Sequence, residues 1–174
     1  NGATNNSALN IGDKVKILPA NIETSIVKIE INLESVSEVK AGENVVLHFE
    51  DNIDISRGDT VVKFDELPKE SNQINTWVSC LDNAPLQLGK TYILQHRFRN
   101  VRVKVQAINQ KWNVNDWEFT PAEDIKLNDI AQISIRTNQP LFFDSFVDND
   151  KTGNAILIDE TSFNTVGALM FLEN

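Results

Sequence analysis

Two histidines, one cysteine, two aspartates at strand ends, three tryptophans and a run of cations are the residues of this chain that could support chemistry. A zinc site needs Cys or His ligands paired at short spacing, and His48, Cys80 and His96 offer no such pair, so no metal ligand is assigned. Cys80 follows "TWVS" and reads as a small buried apolar residue. Asp144 in "LFFDSF" and Asp159 in "LIDETS" stand where strands give way to turns, and Asp at such junctions bonds nearby backbone N–H groups. No catalytic residue is therefore assigned to them. Trp77 falls in an alternating segment, where packing is its expected work. Trp112 and Trp117 bracket "NVND", a hairpin-tip composition that would hold indole rings near solvent as a stacking surface.

Charge is segregated along the chain. The stretch from Lys90 to Lys111 carries six cations and no acid, while the whole chain is −9, so the remainder carries −15. Residues 91–98 and 101–108 are expected to pair antiparallel across a turn at Arg99 and Asn100. Because Val101, Val103 and Val105 alternate with Arg102 and Lys104, the two cations then point together to solvent. Such a row is either a charged strand edge that deters pairing or a docking face for an acidic partner. On the second reading Arg97, Arg99, Arg102 and Lys104 are the candidate partner-binding residues. The acidic total disfavours nucleic acid and anionic lipid, since both are held by clustered cations. No apolar run approaches the roughly 20 residues that span a bilayer, and the start "NGATNNSALN" has neither a basic nor an apolar signal region. With one cysteine there is no intrachain disulfide. These features make the cytoplasm the expected compartment.

The elements that must position these residues are strands. Period-two alternation recurs at 13–18 ("DKVKIL"), 25–31 ("SIVKIEI"), 44–50 ("NVVLHFE"), 91–98 ("TYILQHRF"), 101–108 ("VRVKVQAI") and 131–137 ("AQISIRT"). Helical periodicity is nearly absent. Gly12-Asp13, Ala41-Gly42-Glu43, Arg57-Gly58-Asp59 and Leu88-Gly89-Lys90 each precede such a segment, placing glycine where a turn needs positive φ. The polar, Pro68-bearing "KFDELPKESNQ" reads as a linker. The expected organisation is all-β: a first barrel over 1–62, too short to close by itself, a linker over 63–74, and a second barrel over 75–174.

In order, "LNIGDKVKILP", "VKAGENVVLHFEDNIDISRGDTVV", "PLQLGKTYILQHRFRNVRVKV", "LNDIAQISIRTNQPLFFDSF" and "TGNAILIDETSFNTVGALM" resemble the second and third domains of translation-factor GTPases such as elongation factor Tu. The resemblance covers nearly the whole chain. It is narrower still to the large, GTP-binding subunit of bacterial sulfate adenylyltransferase, through Ile53-Asp54-Ile55-Ser56-Arg57-Gly58-Asp59 and "PLFFDSFVDNDKTGNAILID". One departure is Leu169, where that family's "TVGAG" has a second glycine.

The resemblance implies two translation-factor-type barrels, the first incomplete because its opening strands and a GTPase domain would precede residue 1. It implies a role coupling that GTPase domain to the catalytic subunit, which makes adenylylsulfate from ATP and sulfate. The alternative is a pair of tRNA- or ribosome-binding barrels of a translation factor. No phosphate-cradling loop of the Gly-x-x-x-x-Gly-Lys-Ser/Thr kind occurs in the chain, so no cofactor is expected here. GTP and magnesium are expected in the GTPase domain. The isolated segment is expected to be non-catalytic. Its expected partners are the catalytic subunit and its own GTPase domain, with no membrane partner.

Overall fold

The computed structural model describes residues 2–3 (backbone only), 8–40, 43–113 and 115–173. The chain divides into two units, Asn1–Pro68 and Lys69–Asn174. Every regular element among the described residues is a strand. The Ala41-Gly42 part of one expected turn lies outside the described residues, as does Val114 of the "NVND" tip.

Unit 1 contains β1 (Gly2–Ala3), β2 (Leu9–Asn10), β3 (Lys14–Leu18), β4 (Ile22–Ile31), β5 (Glu34–Val36), β6 (Glu38–Val39), β7 (Asn44–Phe49) and β8 (Thr60–Lys63). Its main sheet runs β1-β7-β4-β3-β8, with β5 beside β4 and β2 paired to β6. Among the described residues no pairing joins β1 to β8. Long β4 serves two sets of neighbours. Its first half pairs with β3 and its second with β5 and β7, with a register shift between Ile26 and Lys28 where the strand turns from one set to the other. Leu9, Val15, Ile26, Ile29, Val39 and Val45 form its core. Gly12 and Gly58 take φ of 94° and 103°, as their turns require.

Unit 2 contains β9 (Lys69–Cys80), β10 (Thr91–His96), β11 (Arg99–Asn113), β12 (Glu118–Thr120), β13 (Ile130–Phe143), β14 (Asn154–Asp159) and β15 (Thr165–Phe171). The order β10-β14-β15-β9-β13-β11 returns to β10, closing a six-stranded antiparallel barrel, and β12 is appended to β11. Closure leaves none of the six with an unpaired edge. Inward side chains at alternate positions fill it: Ile74, Val78, Tyr92, Leu94, Val103, Val105, Ile133, Ile135, Leu157, Leu169 and Phe171 are all nearly solvent-free. Each such burial contributes about 1.5–3 kcal/mol. Residues 69–74, assigned to a linker by their polarity, are strand. They pair with β13 while Glu70, Asn72 and Gln73 stay exposed, because polar residues suit an outer barrel face as well as a loop.

Two details of β15 explain its sequence. A Cβ on Gly167 would come to 3.1 Å from Val78 Cγ2, so the neighbouring strand approaches too closely for a side chain without adjustment. Leu169 faces inward opposite Val78 and is buried, so the leucine adds core volume in place of a second glycine.

Candidate functional site

The β10–β11 hairpin pairs Thr91 with Lys104, Ile93 with Arg102, and His96 with Arg99. Its turn is therefore Arg97-Phe98, two residues earlier than the Arg99-Asn100 position expected from the valine pattern. Arg97 carries the positive φ, 54°, that the tight connection needs. The valine alternation does hold from Val101 to Val105, which are buried, with Arg102 and Lys104 exposed between them.

The four candidate cations divide into two groups. Arg97 is half-buried at the turn, where burial pushes its guanidinium pKa down against the opposing pull of Asp144. Arg99 lies on the inward-facing register of Val101 at the barrel rim and donates to Gln139 Oε1 at 3.5 Å. Arg102 and Lys104 instead stand on the outer face. Arg102 donates from Nε to Glu160 Oε1 at 2.7 Å, and its backbone N–H donates to Asn138 Oδ1.

A residue missed in the sequence joins the outer pair. Arg136 of β13 lies directly opposite Lys104 of β11, and a shallow cavity of about 300 Å³ over the sheet is lined by Thr91, Arg102, Lys104, Gln106, Arg136 and Asn138. Three cations thus share one surface, and Glu160 is the only carboxylate within 4 Å of any of them among the described residues. Like charges directly opposite across a ladder destabilise it. The outward position of Arg136 was legible from "AQISIRT"; its adjacency to Lys104 required the β11–β13 pairing.

The remaining candidates are held in packing, turn and ion-pair contacts. His96 is buried, and its Nε2–H donates to the Thr152 carbonyl at 2.7 Å. Burial is the first cause holding its pKa below the ordinary value, with Arg97 and Arg99 adding to the effect and the Thr152 contact opposing it. Asp144 accepts from Thr152 Oγ1 and from Asn149 Nδ2, closing the loop ahead of β14. Asp159 caps the next turn. The Lys90 ammonium beside it, then the Ser162 and Thr161 N–H groups, hold its carboxyl far below the usual carboxylate range. Cys80 is buried, and that burial pushes its thiol up, against the thiolate character a nucleophile needs. His48 belongs to unit 1, where Nε2 meets Glu30 at 2.7 Å.

The tryptophans gather on the outer face at the other end of β11. Trp112 packs on Phe119 of β12 with centroids 4.8 Å apart, Phe119 on Trp77 at 5.3 Å, and Trp117 meets Trp112 edge-on at 6.0 Å. Phe119 was not singled out in the sequence.

Residues 73–171, nearly all of the closed second barrel, match the family described as GTP-eEF1A C-terminal domain-like. The chain belongs to that family. Among characterised proteins, this member is 36% identical over 172 residues to sulfate adenylyltransferase subunit 1 of Chromobacterium violaceum, covering 98% of this chain and 36% of that protein. It is 32% identical over 175 residues to the bifunctional enzyme CysN/CysC of Mycobacterium tuberculosis, covering 99% of this chain and 28% of that one. The chain thus spans about a third of the length of these relatives. Among solved structures, the translation factor Sup35 complexed with GDP superposes with a TM-score of 0.83 over 96% of this chain and 41% of Sup35, at 15% identity. That likeness shows that the fold is the one used by translation-factor barrels. No helix among the described residues is long and apolar enough to cross a membrane.

Proposed function

We propose that these residues form the barrel region of the GTP-dependent subunit of a sulfate adenylyltransferase, coupling a GTPase domain to the catalytic subunit that makes adenylylsulfate from ATP and sulfate. The observation that carries the proposal is similarity to sulfate adenylyltransferase subunit 1 along 98% of the chain, through both units. The barrels are non-catalytic bodies in this reading. GTP and magnesium are held by the GTPase domain, and the assembly works in the cytoplasm. A closed, densely packed barrel such as that of unit 2 suits this role because it moves as a rigid body and transmits displacement at its surface.

Of the four cations proposed as partner-binding, Arg102 and Lys104 carry the contact in this reading, together with Arg136, while Arg97 and Arg99 border it at the rim. Three clustered cations on an acidic chain attract an acidic face of the catalytic subunit or of the GTPase domain, accelerating encounter and setting orientation. The alternative, a tRNA- or ribosome-binding barrel pair, has the fold likeness to Sup35 in its favour. A net charge of −9 opposes it.

The test is charge reversal at Arg102, Lys104 and Arg136 in the full-length protein. Affinity for the catalytic subunit should fall roughly tenfold or more for the triple reversal at low salt, and the difference should narrow at moderate salt. Unchanged affinity and unchanged GTP-coupled adenylylsulfate synthesis at both salts would remove the docking role. Failure of the wild-type protein to bind the catalytic subunit at all would remove the proposed function.

A further inference from the structure

The aromatic cluster at the far end of β11 has no part in the role proposed above, and its build is costly. Trp117 is 76% exposed and Phe119 46% exposed, so a large apolar area is left in water at the hairpin tip. Trp117 also takes φ of 57°, a left-handed conformation that a bulky residue rarely adopts. Its N–H donates to the Asn113 carbonyl at 2.9 Å, and Asn113 Nδ2 donates to Asp116, so the tip is braced in this conformation. The result is an indole held edge-on to Trp112 with most of its surface open. Behind it, Trp112, Phe119 and Trp77 form a continuous platform across β11, β12 and β9.

The charge around this platform selects its occupant. Residues 113–129 carry Asp116, Glu118, Glu123, Asp124 and Asp129 against Lys126 alone. Lys126 is paired with Asp124 and Lys111 with Asp129, which leaves Asp116 and Glu118, the two neighbours of Trp117, without a cation among the described residues. Both are exposed. A nucleobase would stack on the rings but would bring its phosphates against these carboxylates. A purely aliphatic segment would leave the carboxylates unused. A guanidinium satisfies both features, since its plane stacks on an indole face while its N–H groups reach carboxylates at the rim.

We propose that the Trp117 tip, with Trp112, Phe119, Asp116 and Glu118, is a docking site for an arginine-bearing segment of a partner protein. The site lies toward the opposite end of β11 from the cation cluster and has the opposite charge, so it engages a different surface from the one proposed above. Its validity does not depend on that reading.

The 174-residue chain is titrated with three capped pentapeptides, Gly-Arg-Gly-Arg-Gly, its citrulline counterpart and Gly-Glu-Gly-Glu-Gly, and separately with oligothymidylate. Binding is followed by the indole N–H resonances of the three tryptophans. The arginine peptide should shift the Trp112 and Trp117 signals saturably at low salt, and the citrulline and glutamate peptides should shift them at least several-fold less. Asp116→Asn with Glu118→Gln should weaken the arginine effect several-fold while leaving the free spectrum near that of the parent. Trp117→Ala should abolish the Trp112 shift. Trp117→Gly, which removes the ring and relieves the backbone, should do the same with a folded spectrum, separating loss of the site from loss of the fold. Equal shifts with arginine and citrulline, shifts with oligothymidylate alone, or no shift with any probe would each overturn the proposal.

Discussion

Lys104 should be replaceable by glutamate with a gain in stability. It lies directly opposite Arg136 in the β11–β13 ladder, and Arg102 stands two residues along the same face. Directly opposed residues have Cβ atoms about 4.5–5.5 Å apart, which sets the charges of two long, splayed side chains roughly 7 Å apart. At the dielectric constant of water, unit charges at that distance repel by about 0.6 kcal/mol. Lys104→Glu reverses the sign of this interaction, a swing of about 1 kcal/mol before side-chain ordering and screening reduce it. A gain of about 0.5–1 kcal/mol at low salt is therefore expected. Lys104→Gln should give roughly half of it, and the gain should all but vanish near 1 M salt, where the screening length is about 3 Å.

All three tryptophans lie in unit 2, so urea unfolding followed by their fluorescence reports this barrel even if unit 1 unfolds separately. A Lys104→Glu protein less stable than the parent, or a gain indifferent to salt, would refute the reasoning. It would mean that the lysine is held by favourable contacts and that the cation cluster carries no strain for a partner to relieve.

Other outcomes follow from single residues. A Cβ on Gly153 would lie 2.4 Å from Phe146 Cα, in a turn where Gly153 also bonds Asn149 and Phe171 through its backbone. Gly153→Ala should therefore cost about 2–4 kcal/mol in urea unfolding. Gly167→Ala makes a milder closest contact, 3.1 Å to a methyl of buried Val78, and it should cost about 1 kcal/mol. The folded state holds the His96 pKa below its ordinary value, so the unfolded chain binds the proton more readily. Stability should fall as pH drops below about 6.5, and His96→Gln should flatten that slope between neutral pH and pH 5. Asp159 has a depressed folded pKa, so its contribution is present above the usual carboxylate range and is lost as pH falls below about 4. Asp159→Asn should remove that part of the acid sensitivity, read from unfolding midpoints across the acid range.

Much of this molecule is local information. Alternation at Val101, Val103 and Val105 places Arg102 and Lys104 outside whatever strand they pair with, because side chains change face at every residue. Gly12, Gly58 and Gly89 take positive φ where their turns were expected, because that conformation is a property of a few bonds. The acidic total and the order of the motifs likewise needed no coordinates. Tertiary structure decided what pairing across long sequence separations creates. The hairpin turn moved to Arg97-Phe98 because cross-strand register, with Tyr92 opposite Val103 and Leu94 opposite Val101 in the core, outweighed local turn preference. Polar residues 69–73 became strand because β13 was available to bond them. Arg136 reached Lys104, and Phe119 bridged Trp77 to Trp112, only when the sheet closed on itself. A period-two pattern tells which face a residue occupies; which residue stands beside it on that face depends on strand order and register, and these are set by the packing of the whole barrel.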